Sequence, residues 1–169
     1  MSTHISLFFA LAASMFMTAC ADKSTDTAQE DSAQGVEPTS GSLALRFKID
    51  EDYAALMDEP PSGILYGSFW RSEDVDAIGP IEGAVALNTI ELSVDLDPSG
   101  AETEILWTEE GLPIQEVYFL GFIDSDGNSD PQATHPDSKD PVTLPSDNDF
   151  DVIGGEITEV TVLFAMLYP

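Results

Sequence analysis

The chain has few basic residues. It contains five Lys and Arg against 32 Asp and Glu, which gives a formal net charge of −27 at pH 7. A surface of this charge repels nucleic acid and anionic lipid, because both carry dense negative charge of their own. We therefore predict no nucleic-acid partner. The same surface attracts cations, above all divalent ones.

Cysteine and histidine are also scarce. The single cysteine, Cys20, excludes an internal disulfide, and the two histidines are His4 and His135. Catalytic zinc sites usually rest on His or Cys ligands, which are nearly absent here. A Ser-His-Asp site would have to use His135, and no G-x-S-x-G turn is present. We predict no catalytic residue and no enzyme activity; the alternative is a hydrolase with an unrecognised acidic site.

The apolar run near the amino terminus is too short to span a membrane. It covers residues 5–17, whereas a transmembrane helix needs about 20 apolar residues. The run follows a short polar start without Lys or Arg, and it ends at Thr18-Ala19-Cys20. This layout is typical of a secretory signal.

Residues 17–20, Met-Thr-Ala-Cys, resemble the lipobox of bacterial lipoproteins, an apolar residue and two small residues before a cysteine. The resemblance implies that residues 1–19 are a signal peptide and that Cys20 is lipidated, which would anchor the protein to a membrane. It also implies the outer membrane, on its periplasmic face or at the cell surface, because Ala21 replaces the Asp that favours inner-membrane retention. The alternative is a plain signal peptide with an incidental cysteine.

Large apolar residues are nearly missing from the next segment. Residues 21–41 contain one Val and no aromatic residue among many Ser, Thr, Asp, Glu and Gln. Such a segment cannot bury enough apolar surface to offset its ordering entropy. We predict a disordered acidic linker over residues 20–41, beginning at the acylated cysteine, and a single domain over residues 42–169.

Long helical patterns are absent from the domain, and alternation with a period of two takes their place. Residues 42–50 put their Leu, Phe and Ile side chains on one face, and residues 88–97 alternate similarly. Residues 116–124 are apolar on both parities, which predicts a central strand covered on both sides. One helical turn is expected in residues 51–61, before two prolines. About seven strands are predicted, which favours an antiparallel β-sandwich: residues 42–50, 63–70, 88–97, 103–108, 116–124, 150–153 and 158–168.

Oxygen-bearing side chains alternate in the loop after residues 116–124. Calcium takes about six to eight oxygen ligands, and Asp or Asn at alternate positions of a tight loop can direct several oxygens at one centre. The loop is not an EF-hand, because Ser129 stands where that motif needs Gly and His135 where it needs Glu. The alternative is a solvated acidic loop. The predicted calcium ligands are Asp124, Asp126, Asn128, Asp130, Asp137 and Asp140, with Asp147, Asp149 and Asp151 nearby in sequence.

Four aromatic residues in or beside the predicted strands suggest another kind of site. Tyr66 and Trp70 share a strand parity, and with Trp107 and Tyr118 they could stack on sugars or peptides. The usual place of aromatic residues in apolar strands is the core, and we favour that interpretation. A carbohydrate- or peptide-binding module that uses exposed aromatics is the alternative function.

Residues 116–164 resemble exported bacterial β-sandwich domains of the prealbumin-like, carboxypeptidase-regulatory-like kind. A strand of the type Y-x-L-x-F leads into D-x-D-G-N, and an acidic loop, a Gly-bearing turn and a Thr/Val-rich final strand follow. The resemblance implies a structural or binding role, with Asp124, Asp126, Asn128 and Asp130 in the polar loop. We predict a membrane-anchored, non-catalytic structural or binding module, stabilised by calcium. The sequence does not identify its protein or polysaccharide partner.

Overall fold

The computed structural model describes residues 37–58, 60–129 and 135–169. The predicted signal peptide, the lipidation site Cys20, most of the predicted linker and the predicted ligand Asp130 lie outside these residues. The described chain is mostly β-structure, as the alternating sequence predicts.

Eight strands, one short α-helix and two 3-10 turns make up the described fold. The 3-10 turns are Ser72–Asp74 and Pro145–Asp147. The other elements are β1 Ser40–Ile49, α1 Glu51–Ala54, β2 Ser62–Arg71, β3 Asn88–Asp95, β4 Trp107–Pro113, β5 Glu116–Asp124, β6 Pro141–Thr143, β7 Asp149–Asp151 and β8 Ile157–Leu167.

All eight strands belong to one curled sheet. Its order is β3-β2-β5-β6-β8-β1-β4, and β7 pairs with β5 beside β6. β1 and β8 run parallel, from Ser42 opposite Ile157 to Ile49 opposite Phe164, and the other described pairs are antiparallel. The structure thus departs from the predicted antiparallel architecture at this pair. Most of the domain separates these two strands in sequence, so no tight turn forces them to run in opposite directions.

The curl brings the two ends of the sheet towards each other. β3 and β4 are its outermost strands, yet Asn88 Nδ2 of β3 donates to Glu109 Oε1 of β4 at 2.7 Å. Trp107 Nε1 donates to the other oxygen of the same carboxylate at 3.1 Å. Glu109 is buried, so these two donors offset the cost of removing its side chain from water.

The core lies inside the curl and is built from one parity of each main strand. β1 contributes Leu43, Leu45, Phe47 and Ile49, all fully buried, as the period-two pattern predicts. Complete burial of such a side chain contributes about 1.5–3 kcal/mol. The central ring is Phe119 of β5, whose centroid lies 5.1 Å from that of Phe69 and 6.2 Å from that of Phe47.

A glycine in β2 makes room for this ring. Gly67 lies opposite Gly121 of β5, and a Cβ on Gly67 would stand 2.2 Å from Phe119 Cζ. The core-facing parity of β2 is therefore Leu65, Gly67 and Phe69. Tyr66 and Trp70 project to the opposite face of the sheet.

The predicted helical turn is present as α1. Asp50 caps it, since its Oδ1 accepts from the backbone N–H of Asp52 at 2.9 Å. In the described ranges, no helix is long and apolar enough to span a bilayer.

Candidate functional site

The acidic loop after β5 is organised by one buried carboxylate. Asp124 ends β5 and is 4 % exposed. Its Oδ1 accepts from the backbone N–H of Gly127 at 2.8 Å and of Asn128 at 3.1 Å, and its Oδ2 accepts from that of Ser129 at 3.2 Å. Gly127 has a φ of 74°, a conformation that favours glycine. The Asp124 carboxylate therefore closes the turn by accepting from backbone N–H groups of the loop.

The side-chain amide of Asn128 bridges two acidic residues of the loop. Asn128 Nδ2 donates to Asp126 Oδ2 at 2.8 Å and also to Asp137 Oδ2. The structure thus brings four of the predicted ligands to one side of the loop: Asp124, Asp126, Asn128 and Asp137. The bridging group is an N–H donor, which holds the exposed Asp126 carboxylate and the half-buried Asp137 carboxylate together by hydrogen bonds.

Asp140 is the second buried carboxylate, 3 % exposed, and it joins the return of the loop to its beginning. Its Oδ1 accepts from the backbone N–H of Ser125 at 3.3 Å and its Oδ2 from that of Asp137 at 3.1 Å. Burial raises the pKa of the Asp140 carboxyl above its ordinary value, and the two backbone donors oppose that rise. The negative charges of Asp137 and Asp124 raise the pKa further.

The calcium prediction is not settled by this geometry. Within residues 37–58, 60–129 and 135–169, no group of three His, Cys, Asp or Glu side chains is arranged to hold one ion. Both oxygens of Asp124 already accept backbone N–H groups. The nearby acids Asp147, Asp149 and Asp151 belong to the second 3-10 turn and β7, where Asp149 lies opposite Tyr118, six residues before Asp124 on β5. Calcium binding therefore stays a prediction.

A second candidate site lies on the outer face of the sheet. One cross-strand row passes over five strands, and its members are Glu91, Tyr66, Phe122, Val142 and Met166. All five line one concave region of about 970 Å³, which we call the outer groove. The Tyr66 and Phe122 rings are neighbours, with centroids 5.4 Å apart.

Further residues extend the outer groove beyond this row. Trp70 and Ser68 of β2 and Leu120 of β5 continue its floor, and Ile78, 91 % exposed, contributes to its lining from the loop before β3. The buried Nε1 of Trp70 has no hydrogen-bond partner among the described residues. His135, exposed, is the lining residue next to the end of the acidic loop.

The four predicted stacking aromatics therefore do not share one surface. Tyr66 and Trp70 line the outer groove, so the core location favoured for them is wrong. Trp107 packs against the core from β4, where it binds Glu109. Tyr118, the cross-strand partner of Trp70, is half-buried on the same face of the sheet but does not line the groove. Burial raises the pKa of its hydroxyl. The shared strand parity correctly placed Tyr66 and Trp70 on one face, because parity fixes the face of the sheet to which a side chain points.

Sequence reasoning missed the far wall of the groove. Val142 and Thr143 belong to β6, a three-residue strand that was not predicted. Thr143 joins it to β5, because its hydroxyl accepts from the backbone N–H of Gly121 at 2.8 Å. The apolar residues between the acidic loop and Pro145 were the available signal for this strand.

Comparison with protein-family models, with curated proteins and with solved structures finds no match to this chain.

Proposed function

We propose that this chain is a non-catalytic binding module of an exported lipoprotein and that the outer groove is its ligand-binding surface. The observation that carries the proposal is the groove itself, a concavity of about 970 Å³ with Tyr66, Trp70 and Phe122 in its lining. Binding sites are typically concave and mostly apolar, with a few polar groups that orient the ligand. Ser68, Thr89 and Glu91 supply such groups here.

The apolar outer face favours binding over a purely structural role. The second face of an antiparallel sheet is usually polar when it faces only water. Here Leu120 and Met166, both half-buried, and Phe122 and Val142, both buried, occupy that face and line the groove. Without a ligand the half-buried members of this face stay in contact with water, and an apolar surface in a concavity commonly marks an interaction site.

We infer a two-layered, sandwich-like packing for the curled sheet, in keeping with the resemblance to prealbumin-like domains. Its support is the ring contact between Phe47 of β1 and Phe119 of β5, two strands that are not neighbours in the sheet. Side chains of β1 and β5 therefore meet across the core, as facing layers do.

The anchor at Cys20 is part of the proposal and rests on the lipobox resemblance. The linker of residues 20–41 would hold the domain off the outer membrane. Metabolic labelling with a radioactive fatty acid tests this directly. We expect label and membrane association in the native chain and loss of both in Cys20→Ser; equal labelling of the two chains would contradict the anchor.

Calcium is proposed only as a stabilising ion at the acidic loop. The support is the grouping of Asp126, Asn128 and Asp137 beside two buried carboxylates in a chain of net charge −27. The described residues alone do not complete a ligand set.

Binding to the groove is tested by calorimetry of the purified full-length chain against short peptides and soluble oligosaccharides. We expect one of these two ligand classes to bind, and Tyr66→Leu and Trp70→Leu to weaken that binding about tenfold, because stacking surface is lost. Tyr53→Leu is the matched control, since Tyr53 lies in α1 outside the groove. Absence of binding by both classes, or an equal loss in the control, would overturn the proposal.

A further inference from the structure

The charges around the outer groove have one sign. Glu91 is a lining residue, and no Lys or Arg of the described ranges lines the groove, although the His135 imidazole does. Three of those basic residues are paired with acids elsewhere: Arg46 with Glu159, Arg71 with Asp74 and Lys139 with Asp58. The groove therefore offers a ligand the Glu91 carboxylate without a Lys or Arg to compete for it, and its one imidazole, His135, lies next to the end of the acidic loop.

Tyr66 occupies the centre of this negative region. Its Cα partners are Glu91 on one side and Phe122 on the other. Partial burial raises the pKa of the Tyr66 hydroxyl, and the negative charges of Glu91 and Asp124 raise it further. An aromatic ring beside a carboxylate attracts a cation twice, through the negative face of the ring and through the charge.

The groove has the length of a short peptide. The row from Glu91 to Met166 crosses five strands, and with a spacing of about 4.8 Å between strands it spans roughly 19 Å. An extended peptide covers this distance with about six residues. Most of the row is apolar, so apolar peptide side chains would be buried along Phe122, Val142 and Met166.

We infer that the outer groove binds an extended peptide segment in which a Lys or Arg side chain accompanies apolar ones. The cation lies against Tyr66 beside Glu91, and the apolar side chains lie along the β5, β6 and β8 part of the row. This inference rests on the proposed binding function and adds the chemical class of the ligand. A complementary charge would also speed encounter with a basic partner.

Three matched peptides test the inference. Each has six residues, acetyl-Xaa-Ser-Phe-Ser-Val-Ser-amide, with Xaa as Lys, Gln or Glu, so that Xaa and the two apolar side chains point to the same side of an extended chain. Each is titrated calorimetrically into the purified full-length chain at about 0.15 M salt, near the physiological ionic strength. We expect the Lys peptide to bind about tenfold more tightly than the Gln peptide, and the Glu peptide to bind more weakly than both.

Single-charge variants separate the groove from the general acidity of the chain. Glu91→Gln should reduce the Lys-to-Gln preference about fivefold, to roughly twofold, because it removes the carboxylate beside the bound cation. Asp95→Asn is the control: Asp95 is also exposed on β3, it does not line the groove, and its loss changes the net charge equally. Tyr66→Leu should lower affinity for the Lys peptide most, which gives a second test that leaves Glu91 in place.

Each outcome decides between the two proposals. Equal affinity for the Lys and Gln peptides, or equal effects of Glu91→Gln and Asp95→Asn, would overturn the cation-binding position at Tyr66 and Glu91. The groove would remain a peptide-binding surface. Binding of oligosaccharides without binding of any peptide would overturn the ligand class and leave the proposed binding function. No binding by either class would overturn both.

Discussion

Asp124 shows that one residue type can play two different roles in a loop. Its position at the head of an alternating acidic loop predicts a calcium ligand, and the same spacing suits an acceptor for the loop's own N–H groups. The structure uses both of its oxygens in the second way, at distances of 2.8, 3.1 and 3.2 Å. Burial makes this acceptor role important, because the carboxylate itself is removed from water and these donors satisfy it.

Replacing Asp124 should therefore destabilise the fold even without metal. We expect Asp124→Ala to lower the free energy of unfolding by roughly 1–3 kcal/mol in chelator, since the N–H groups of Gly127 and Ser129 lose their acceptor and that of Asn128 keeps only Asp126 Oδ1. Asp126→Ala, in the same loop but exposed, should change it by less than about 0.5 kcal/mol. Urea unfolding followed by fluorescence measures both; equal losses in the two variants would contradict the assigned role.

Variants of the same two acids distinguish calcium binding from closure of the loop by hydrogen bonds. If calcium binds the folded chain, a hundredfold excess over Kd adds about 2.7 kcal/mol to its stability. We expect millimolar calcium to raise the melting temperature of the native chain and Asp126→Ala to reduce that rise, because Asp126 has an exposed carboxylate in the loop. A melting temperature that is identical in calcium and in chelator would refute the calcium prediction.

At the scale of elements, sequence patterns located strands more reliably than they assigned faces. β1 and β5 lie within two residues of their predicted bounds, because clean alternation or a continuous apolar run marks them. In β2 both parities are largely apolar, so the pattern alone did not show that Leu65 and Phe69 face the core. The deciding feature is Gly67, which admits the Phe119 ring from a strand 52 residues later.

Other elements depended on partners that the sequence does not display. β4 begins later than predicted, at Trp107, and its buried Glu109 is stabilised by Asn88 from the opposite end of the sheet. β6 has only three residues and exists by pairing with β5 and β8. The outer groove likewise arises from register across five strands, so only the pairing of Tyr66 with Trp70 was visible beforehand.

Gly67→Ala tests the packing of β2 against β5. The added Cβ would meet the Phe119 ring at 2.2 Å, so the ring or the strand must move within a filled core. We expect a loss of about 1–3 kcal/mol in the free energy of unfolding, typical of overpacking. Ser68→Ala, the next residue on the outer face, should cost less than about 1 kcal/mol and serves as the control. Chemical denaturation with an unchanged midpoint in Gly67→Ala would refute the close contact.

For the whole molecule, the net charge of −27 sets how stability responds to pH and salt. Like charges on a compact chain repel, and unfolding lets them separate. Asp140 adds to this effect, because burial raises its folded-state pKa above the ordinary value of 3.8. Its contribution is present in full below 3.8 and is lost as the pH rises through the folded pKa.

Asp97 works in the opposite direction but in a different pH range. The backbone N–H of Ser99, which donates to its Oδ1 at 2.8 Å, lowers the pKa of this carboxyl. The stabilisation that results is present above the ordinary value of 3.8 and is lost as the pH falls through the lower folded pKa. Well above that ordinary value it is nearly constant, so the response of the molecule at higher pH follows the repulsion between carboxylates and the loss of the Asp140 contribution.

We therefore expect the melting temperature to fall as the pH rises from about 4.5 to 8. Raising the salt concentration from about 0.1 to 1 M shortens the screening length from about 10 to 3 Å, so salt should stabilise the chain more at pH 8 than at pH 4.5. Asp140→Asn should flatten the pH dependence more than Asp95→Asn, although both remove one negative charge, because Asp140 is buried and Asp95 is exposed. Thermal denaturation at the two pH values measures all three effects. A melting temperature that rises towards pH 8, or equal slopes in the two variants, would show that paired charges rather than repulsion and burial dominate.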